Sequence, residues 1–362
     1  MPRRTEYLFS LCLFIVGLTL ASCSSRDATE EHLALLGNQF IETSGVSGLT
    51  VSVGWVDGET WSKGFGYADI EQGVLVDPAL TKFRVGSTAK SMTAMALGRL
   101  YESGALDLDA PIQQYLPEFP EKTGAITARM LAGHTAGIRH YSNEEEFLST
   151  AAYLSVVDAL EIFSADPVLF HPGSEFSYST YGYNLLSAVL ERAAGVEYLT
   201  LMSRDVFDPI GMDSTVPDHV VPIVSNRSRY YLIVDGQLVN TPWVDNSNKW
   251  AGGGFLSTSD DLVRFGLAHL SDAQLTHETI ELMWTSQATS DGDETGYGIG
   301  WSVQTDSENR RLIRHSGGSV GGTTELRIYP DQGFVIAAIS NTSSAGLTPL
   351  ADEVVEVFLA EP

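Results

Sequence analysis

The sequence predicts an α+β protein, in which both chain ends form one antiparallel sheet flanked by helices and a mainly helical subdomain is inserted between them. Three observations carry this expectation. Apolar residues alternate with polar ones over 50–56, the period of a half-buried strand. The same signature returns in four segments after residue 295. Between them, from about 87 to 248, apolar residues recur at helical spacing, broken by Pro and Gly.

Taken in order, Leu33, Leu36, Phe40 and Ile41 share one helical face, and Gly45 closes that helix. Val51, Val53 and Trp55 alternate against Ser52 and Gly54; Asp57-Gly58 is a hairpin turn, and a second strand covers 60–68. Helices are expected over 87–103, 155–165, 181–194 and 197–207. Strands follow over 296–304, 310–316, 323–329 and 333–340. Asp331-Gln332-Gly333 makes the last turn, and an amphipathic helix covers about 347–359.

Composition narrows the function. Twenty-one Lys and Arg stand against 46 Asp and Glu, a formal charge of −25. Such a surface repels phosphate backbones, which excludes nucleic acid as the main partner. The two cysteines, Cys12 and Cys23, both precede the expected folded body. That body therefore has no thiolate nucleophile and no Cys-based zinc site. Arg3 and Arg4 precede an apolar run from Leu8 to Leu20, too short to span a bilayer, which needs roughly 20 apolar residues. It fits the core of a secretory signal peptide. Leu20-Ala21-Ser22-Cys23 has the form of a lipobox, which makes Cys23 the expected lipidation site of an exported, membrane-anchored bacterial lipoprotein on the periplasmic face. An ordinary cleaved signal with an incidental Cys23 is the alternative.

Three stretches carry candidate chemistry. Ser87-Thr88-Ala89-Lys90 opens the clearest helix, with Met92, Met95, Ala96 and Leu100 as its apolar stripe. Ser87 sits where unpaired backbone N–H groups favour developing negative charge, and Lys90, three residues on, shares its face. A buried lysine with a depressed pKa can take the hydroxyl proton and make Ser87 a nucleophile. Tyr178 follows the Pro172-Gly173 turn and precedes a helix, so its phenol is held in place and can shuttle a proton beside a cation. His315-Ser316-Gly317-Gly318 ends a strand with small residues that let the edge approach a ligand, and the Gly318 N–H can face an acyl oxygen. Each piece has a plainer reading: an N-cap serine, a surface lysine, a core tyrosine, a capped strand-end histidine.

Together the pieces resemble the serine β-lactamase and penicillin-binding-protein superfamily. Within it they resemble the class C-like branch that includes the mitochondrial serine β-lactamase-like proteins and their bacterial relatives. Supporting text runs through Leu106-Asp107-Leu108-Asp109, His134-Thr135-Ala136-Gly137 and Ala251-Gly252-Gly253-Gly254, in the family's order. The resemblance implies a β-lactamase/transpeptidase-like fold. It makes Ser87 the acylated nucleophile, Lys90 its base and Tyr178 the second proton carrier. His315 falls at the strand position that is lysine in true β-lactamases, and the backbone N–H groups of Ser87 and Gly318 form the oxyanion hole, with Gly317 and Thr180 at the substrate. Residues 1–22 are then a lipoprotein-type signal and 23–32 a tether. The hydrolase domain is 33–362, its α/β part about 33–86 and 255–362, its helical subdomain about 87–254.

Two departures shape the expected activity. The family's Tyr-x-Asn is Tyr178-Ser179-Thr180 here, and a hydroxyl cannot replace both halves of an amide. His315 replaces a permanent cation by a group mostly neutral at pH 7. The expectation is an acyl-enzyme hydrolase of small-molecule esters, amides or peptides, with no metal and no cofactor and weak action on penicillins. A class C-like β-lactamase, a D-amino-acid carboxypeptidase and a non-catalytic sensor or scaffold are the alternatives. Three further motifs are set aside. Tyr141-Ser142-Asn143, followed by three glutamates, reads as a solvated loop. Gly317-Gly318-Ser319-Val320-Gly321 spells a nucleophile elbow but leads into a strand, and His277-Glu278 lacks a second histidine.

Overall fold

The computed structural model describes residues 29–359. The expected signal segment, Cys23 and most of the tether lie outside the described residues. A helix over 29–44 (α1) ends at Gly45, whose φ of +69° is the left-handed geometry of a helix stop. Seven strands form the main sheet: β1 Gly48–Trp55, β2 Thr60–Asp69, β3 Val74–Leu75, β4 Ser302–Thr305, β5 Arg311–Ser319, β6 Gly322–Tyr329 and β7 Phe334–Ser340. Their order is β3-β2-β1-β7-β6-β5-β4. The two chain ends meet where β1 pairs antiparallel with β7, Val51 opposite Ala338. This is the expected closure of one sheet by both ends.

Both faces of the sheet are covered, and the period of two assigns each side chain. On β7, Phe334, Ile336 and Ala338 pack with Leu33 and with Leu350, Val354 and Val355 of the final helix, Thr348–Leu359. Val335, Ala337 and Ile339 face the opposite layer, where the helix Ser259–Ala268 brings Leu262, Val263 and Phe265. A strand covered on both faces is apolar at nearly every position, as β7 is.

The inserted region is built around α2, Ala89–Glu102, and α3, Thr180–Ala194. Their ends follow their caps. Ser179 Oγ accepts from Gly182 N–H at 2.9 Å, and Gly195 (φ +67°) closes α3. The chain also holds a three-stranded piece (Phe83–Arg84, Phe255–Ser257, Val216–Pro217) at the borders of that region and, within it, the hairpin Tyr231–Val234 with Gln237–Asn240.

Two expected elements are shorter than the pattern suggested, and a third keeps its length but changes its winding. The helix over 155–165 is a single 3₁₀ stretch, Asp158–Ile162, entered through a local turn in which Ser155 Oγ accepts from Asp158 N–H. The helix over 197–207 widens after Met202 into the π turn Ser203–Phe207. The strand over 296–304 begins only at Ser302. Gly296 and Gly300 take positive φ, and the loop docks on α2, where Ser91 Oγ donates to Gly300 O at 2.7 Å.

Candidate active site

Ser87 lies in the 3₁₀ turn Gly86–Thr88 that leads into α2. Lys90, one turn on, is fully buried, where the sequence pattern alone allows a surface residue. Helix α2 is surrounded on all sides because Ala89, Ala94, Ala96 and Gly98 let neighbouring segments press against it. The Lys90 amine is 3.1 Å from Ser87 Oγ, 3.2 Å from Thr180 Oγ1 and 2.8 Å from Gly252 O. Burial holds its pKa well below the ordinary lysine value, and the nearby charge of Lys249 lowers it further. A neutral amine has two N–H donors and one lone pair. With donors aimed at Gly252 O and Thr180 Oγ1, the lone pair is left for the Ser87 hydroxyl proton.

The acceptor at 252 needs glycine. A Cβ there would stand 2.5 Å from the Thr180 methyl, so no side chain fits between α2 and α3 at this point. Lys249, in the same segment, is also buried; it donates to Phe147 O at 2.9 Å, and burial and then Arg84 pull its pKa down to about 7.

Tyr178 is set by the loop before α3. Ser177 N–H donates to His134 O at 2.9 Å, and Ser179 N–H donates to His134 Nδ1 at 3.2 Å, so the histidine grips both neighbours of the tyrosine. Its ring lies 4.2 Å from the Tyr178 ring, and its φ of +61° is strained backbone for a non-glycine. The Tyr178 ring lies 4.8 Å from Lys90 Nζ, and the residue lines the same cleft as Ser87. Burial raises the phenol's pKa, so Tyr178 holds its proton at neutral pH.

The opposite wall is β5. Its pairing with β4 stops at Arg314, whereas pairing with β6 continues to Ser319. Residues 315–319 therefore have no strand on their other side, and Ser316 and Gly318 are exposed there. This stretch lies against the Ser87 turn: a methyl group on Gly317 would overlap Val85 O, and one on Gly86 would stand 2.7 Å from Gly318 O. Ser87, Tyr178, Tyr297, His315, Ser316 and Gly318 all line one cleft of about 420 Å³.

A model of the family described as Beta-lactamase matches residues 36–357. The chain belongs to the beta-lactamase family. It is 34% identical to the human serine beta-lactamase-like protein LACTB, mitochondrial, over 85% of this chain and 75% of that one. It is 29% identical to penicillin-binding protein 4* of Bacillus subtilis (strain 168), over 76% and 64% of the two chains. The structure of a D-amino acid amidase from Ochrobactrum anthropi SV3 superposes with a TM-score of 0.80 at 22% identity, over 91% of this chain and 98% of that one, a likeness of fold. The family lies within the serine hydrolase superfamily.

Set within the beta-lactamase family, the departures acquire a geometry. Thr180, where the family has asparagine, is buried; its hydroxyl contacts Lys90 and its N–H donates to His140 Nδ1 at 3.1 Å. Neither Thr180 nor Gly317, whose Cα packs on Val85, is among the residues that line the cleft; the expectation placed both at the substrate. His315 reaches the cleft wall, but its nitrogens are taken. Nδ1 lies 2.7 Å from Ser316 O and Nε2 lies 2.8 Å from the Tyr297 hydroxyl. The carbonyl can only accept, so Nδ1 carries the hydrogen and Tyr297 donates to Nε2. Burial, then the charge of Lys90, pulls the His315 pKa down to about 3. His315 is thus neutral near pH 7, with both ring nitrogens engaged by groups other than Ser87.

Sequence reasoning did not single out Tyr297, Lys249 or the Gly252 carbonyl as site groups. A tyrosine between two glycines, a lone lysine and a backbone carbonyl carry no spacing signal. The decoy at 141–143 is half as expected: Ser142 and Asn143 are exposed, while the Tyr141 ring packs 5.2 Å from Tyr181 and 4.2 Å from His140. Gly317–Gly321 runs from strand into strand, as expected for a motif that is no nucleophile elbow. Among the described residues no cluster of three or more His, Cys, Asp or Glu has metal-site geometry, and no helix is long and apolar enough to cross a membrane.

Proposed function

We propose that this protein is a serine hydrolase that forms an acyl-enzyme on Ser87 and prefers neutral esters and internal amides. The observation that supports it best is the buried Lys90 amine, 3.1 Å from Ser87 Oγ with its other two contacts to groups that can accept. Lys90 takes the proton as Ser87 attacks the carbonyl carbon. The oxyanion forms between the N–H groups of Ser87 and Gly318. Tyr178, still protonated, gives its proton to the leaving oxygen or nitrogen and is reprotonated from Lys90. Water then attacks the acyl-enzyme by the reverse relay, and the acid leaves with Ser87 restored.

The preference for neutral substrates rests on the cleft wall. It carries no Lys or Arg, and its one histidine is neutral with both nitrogens engaged. A substrate carboxylate would lose its hydration there and gain no cation. With p-nitrophenyl butyrate and nitrocefin as substrates, the expected kcat/KM ratio favours the ester by at least about a hundredfold, near 3 kcal/mol. Comparable values would defeat the preference and return the class C-like β-lactamase reading. A mass increment of the butyryl group on the intact protein separates an enzyme from a non-catalytic scaffold.

We also propose that the chain is exported and anchored by acylation of Cys23 after cleavage behind Ser22. Palmitate incorporated in cells should be lost in Cys23→Ser; incorporation that persists in the variant rules the anchor out.

A further inference from the structure

A second cleft, of about 460 Å³, opens against the turn that joins β5 to β6. Arg84 in its wall donates to Val320 O at 2.7 Å, and Tyr230 packs on Gly321. The cleft shares none of its lining residues with the Ser87 cleft. Three arginines line it, Arg84, Arg227 and Arg229, in a chain of net charge −25.

Two carboxylates pair with these three guanidinium groups. Asp218 holds Arg84 at 2.7 Å and Arg227 at 3.5 Å, and Glu71 stands 3.6 Å from Arg229. One positive charge is left over. It lies on the Arg84–Arg227 pair that shares Asp218, while Arg229, loosely paired with Glu71, is the most exposed of the three, with its side chain 56% exposed and its guanidinium in no hydrogen bond with the described residues. Arg84 is held beneath, over the Tyr230 ring at 3.9 Å.

The rest of the cleft is apolar. Val220, Pro242, Trp243 and Val244 line it. Trp243 is 57% exposed, and beside Val220 the chain carries Val221 at 92% and Ile223 at 100% exposure. Bare aliphatic and indole surface of this extent at the rim of a basic cleft marks a binding surface rather than ordinary scatter.

We propose that this cleft binds a single-chain anionic amphiphile, its carboxylate or phosphate head on Arg227 and Arg229 and its alkyl chain along Val220 and Trp243. The head supplies the charge the arginines lack, in a charge-assisted contact to a planar fork. The chain covers the exposed indole and valines. A free amphiphile is favoured over an extended bilayer surface because the basic and apolar groups line one bounded cleft of about 460 Å³, room for a single head and chain. The site is independent of the hydrolytic reading, since none of its groups belongs to the proposed reaction.

The test is titration calorimetry of the full chain with monomeric dodecyl phosphate, alongside dodecyl maltoside and inorganic phosphate. Binding of dodecyl phosphate in the range of tens of micromolar is expected, with both comparators weaker by about tenfold or more. Arg229→Glu should weaken it at least about tenfold and Trp243→Ser about fivefold, while the exposed control Lys63→Glu leaves it unchanged. Unchanged melting temperature and ester turnover in both variants establish that they fold. Equal binding of the maltoside, indifference to Arg229→Glu, or binding only to phosphatidylglycerol vesicles would each overturn the proposal.

Discussion

Replacing Ser87 with alanine is expected to abolish covalent labelling by a fluorophosphonate and to cut ester turnover by at least about a thousandfold. The hydroxyl is the atom that bonds to carbon or phosphorus; Thr180 Oγ1 is buried behind Lys90, and the Tyr178 phenol in the same cleft holds its proton at neutral pH. Full labelling of the alanine variant would remove Ser87 from the mechanism. Lys90→Met should lose turnover to a similar degree while Ser87 remains present, because the base is lost. The pH profile gives the sign. Lys90 accepts a proton only when neutral, so kcat/KM falls as pH drops through its depressed pKa. His315, at about 3, titrates too low to produce that acid limb, which should therefore survive in His315→Gln. Stability follows the same direction. An unfolded lysine keeps its proton to about pH 10.4, whereas the folded one gives it up earlier. The folded state thus binds fewer protons over that window, and stability rises with pH. Lys90→Met removes this dependence and should flatten the stability profile across that same window.

Much of the scaffold was legible in the chain because its signals are local. The alternation around Val51 and Val53 and the near-continuous apolar run of Phe334–Ser340 each state how many faces a strand buries. Ser87 and Lys90 were legible because one helical turn brings them together. The misread segments carry the right residues with the wrong context. Val156, Val157, Ala159, Leu160 and Ile162 suit a helix, but the chain is diverted there by Arg139, which donates to Ile162 O at 3.1 Å from a salt bridge with Glu146 and Asp166. The burial of Lys90 was beyond local reading, since the groups that enclose it come from positions 180 and 252. The state of His315 was half legible. Its residue type excludes a permanent cation, but its neutrality and orientation depend on Tyr297, whose approach no sequence pattern marks.

The two glycines at the end of β5 should respond oppositely to the same added methyl group, and this contrast tests the oxyanion edge. In Gly317→Ala the new Cβ overlaps Val85 O, a backbone atom two residues before the nucleophile, so neither partner can rotate away. Strand and turn must separate, at a cost of about 3 kcal/mol, which lowers Tm by about 4 °C in a chain of this size. Separation also draws the Gly318 N–H away from the point where the Ser87 N–H meets the same oxygen. Loss of one such donor lowers kcat by about a hundred- to a thousandfold and leaves KM nearly unchanged, because the bond strengthens only as charge develops. At Gly318 an added Cβ meets nothing within 4 Å, and the N–H is retained. Gly318→Ala should therefore keep its melting temperature and lose no more than about tenfold in kcat/KM, through crowding of the cleft alone. If instead Gly318→Ala is the more damaging of the two in kcat, the acyl oxygen does not sit against this strand edge, and the oxyanion hole must be sought elsewhere around Ser87.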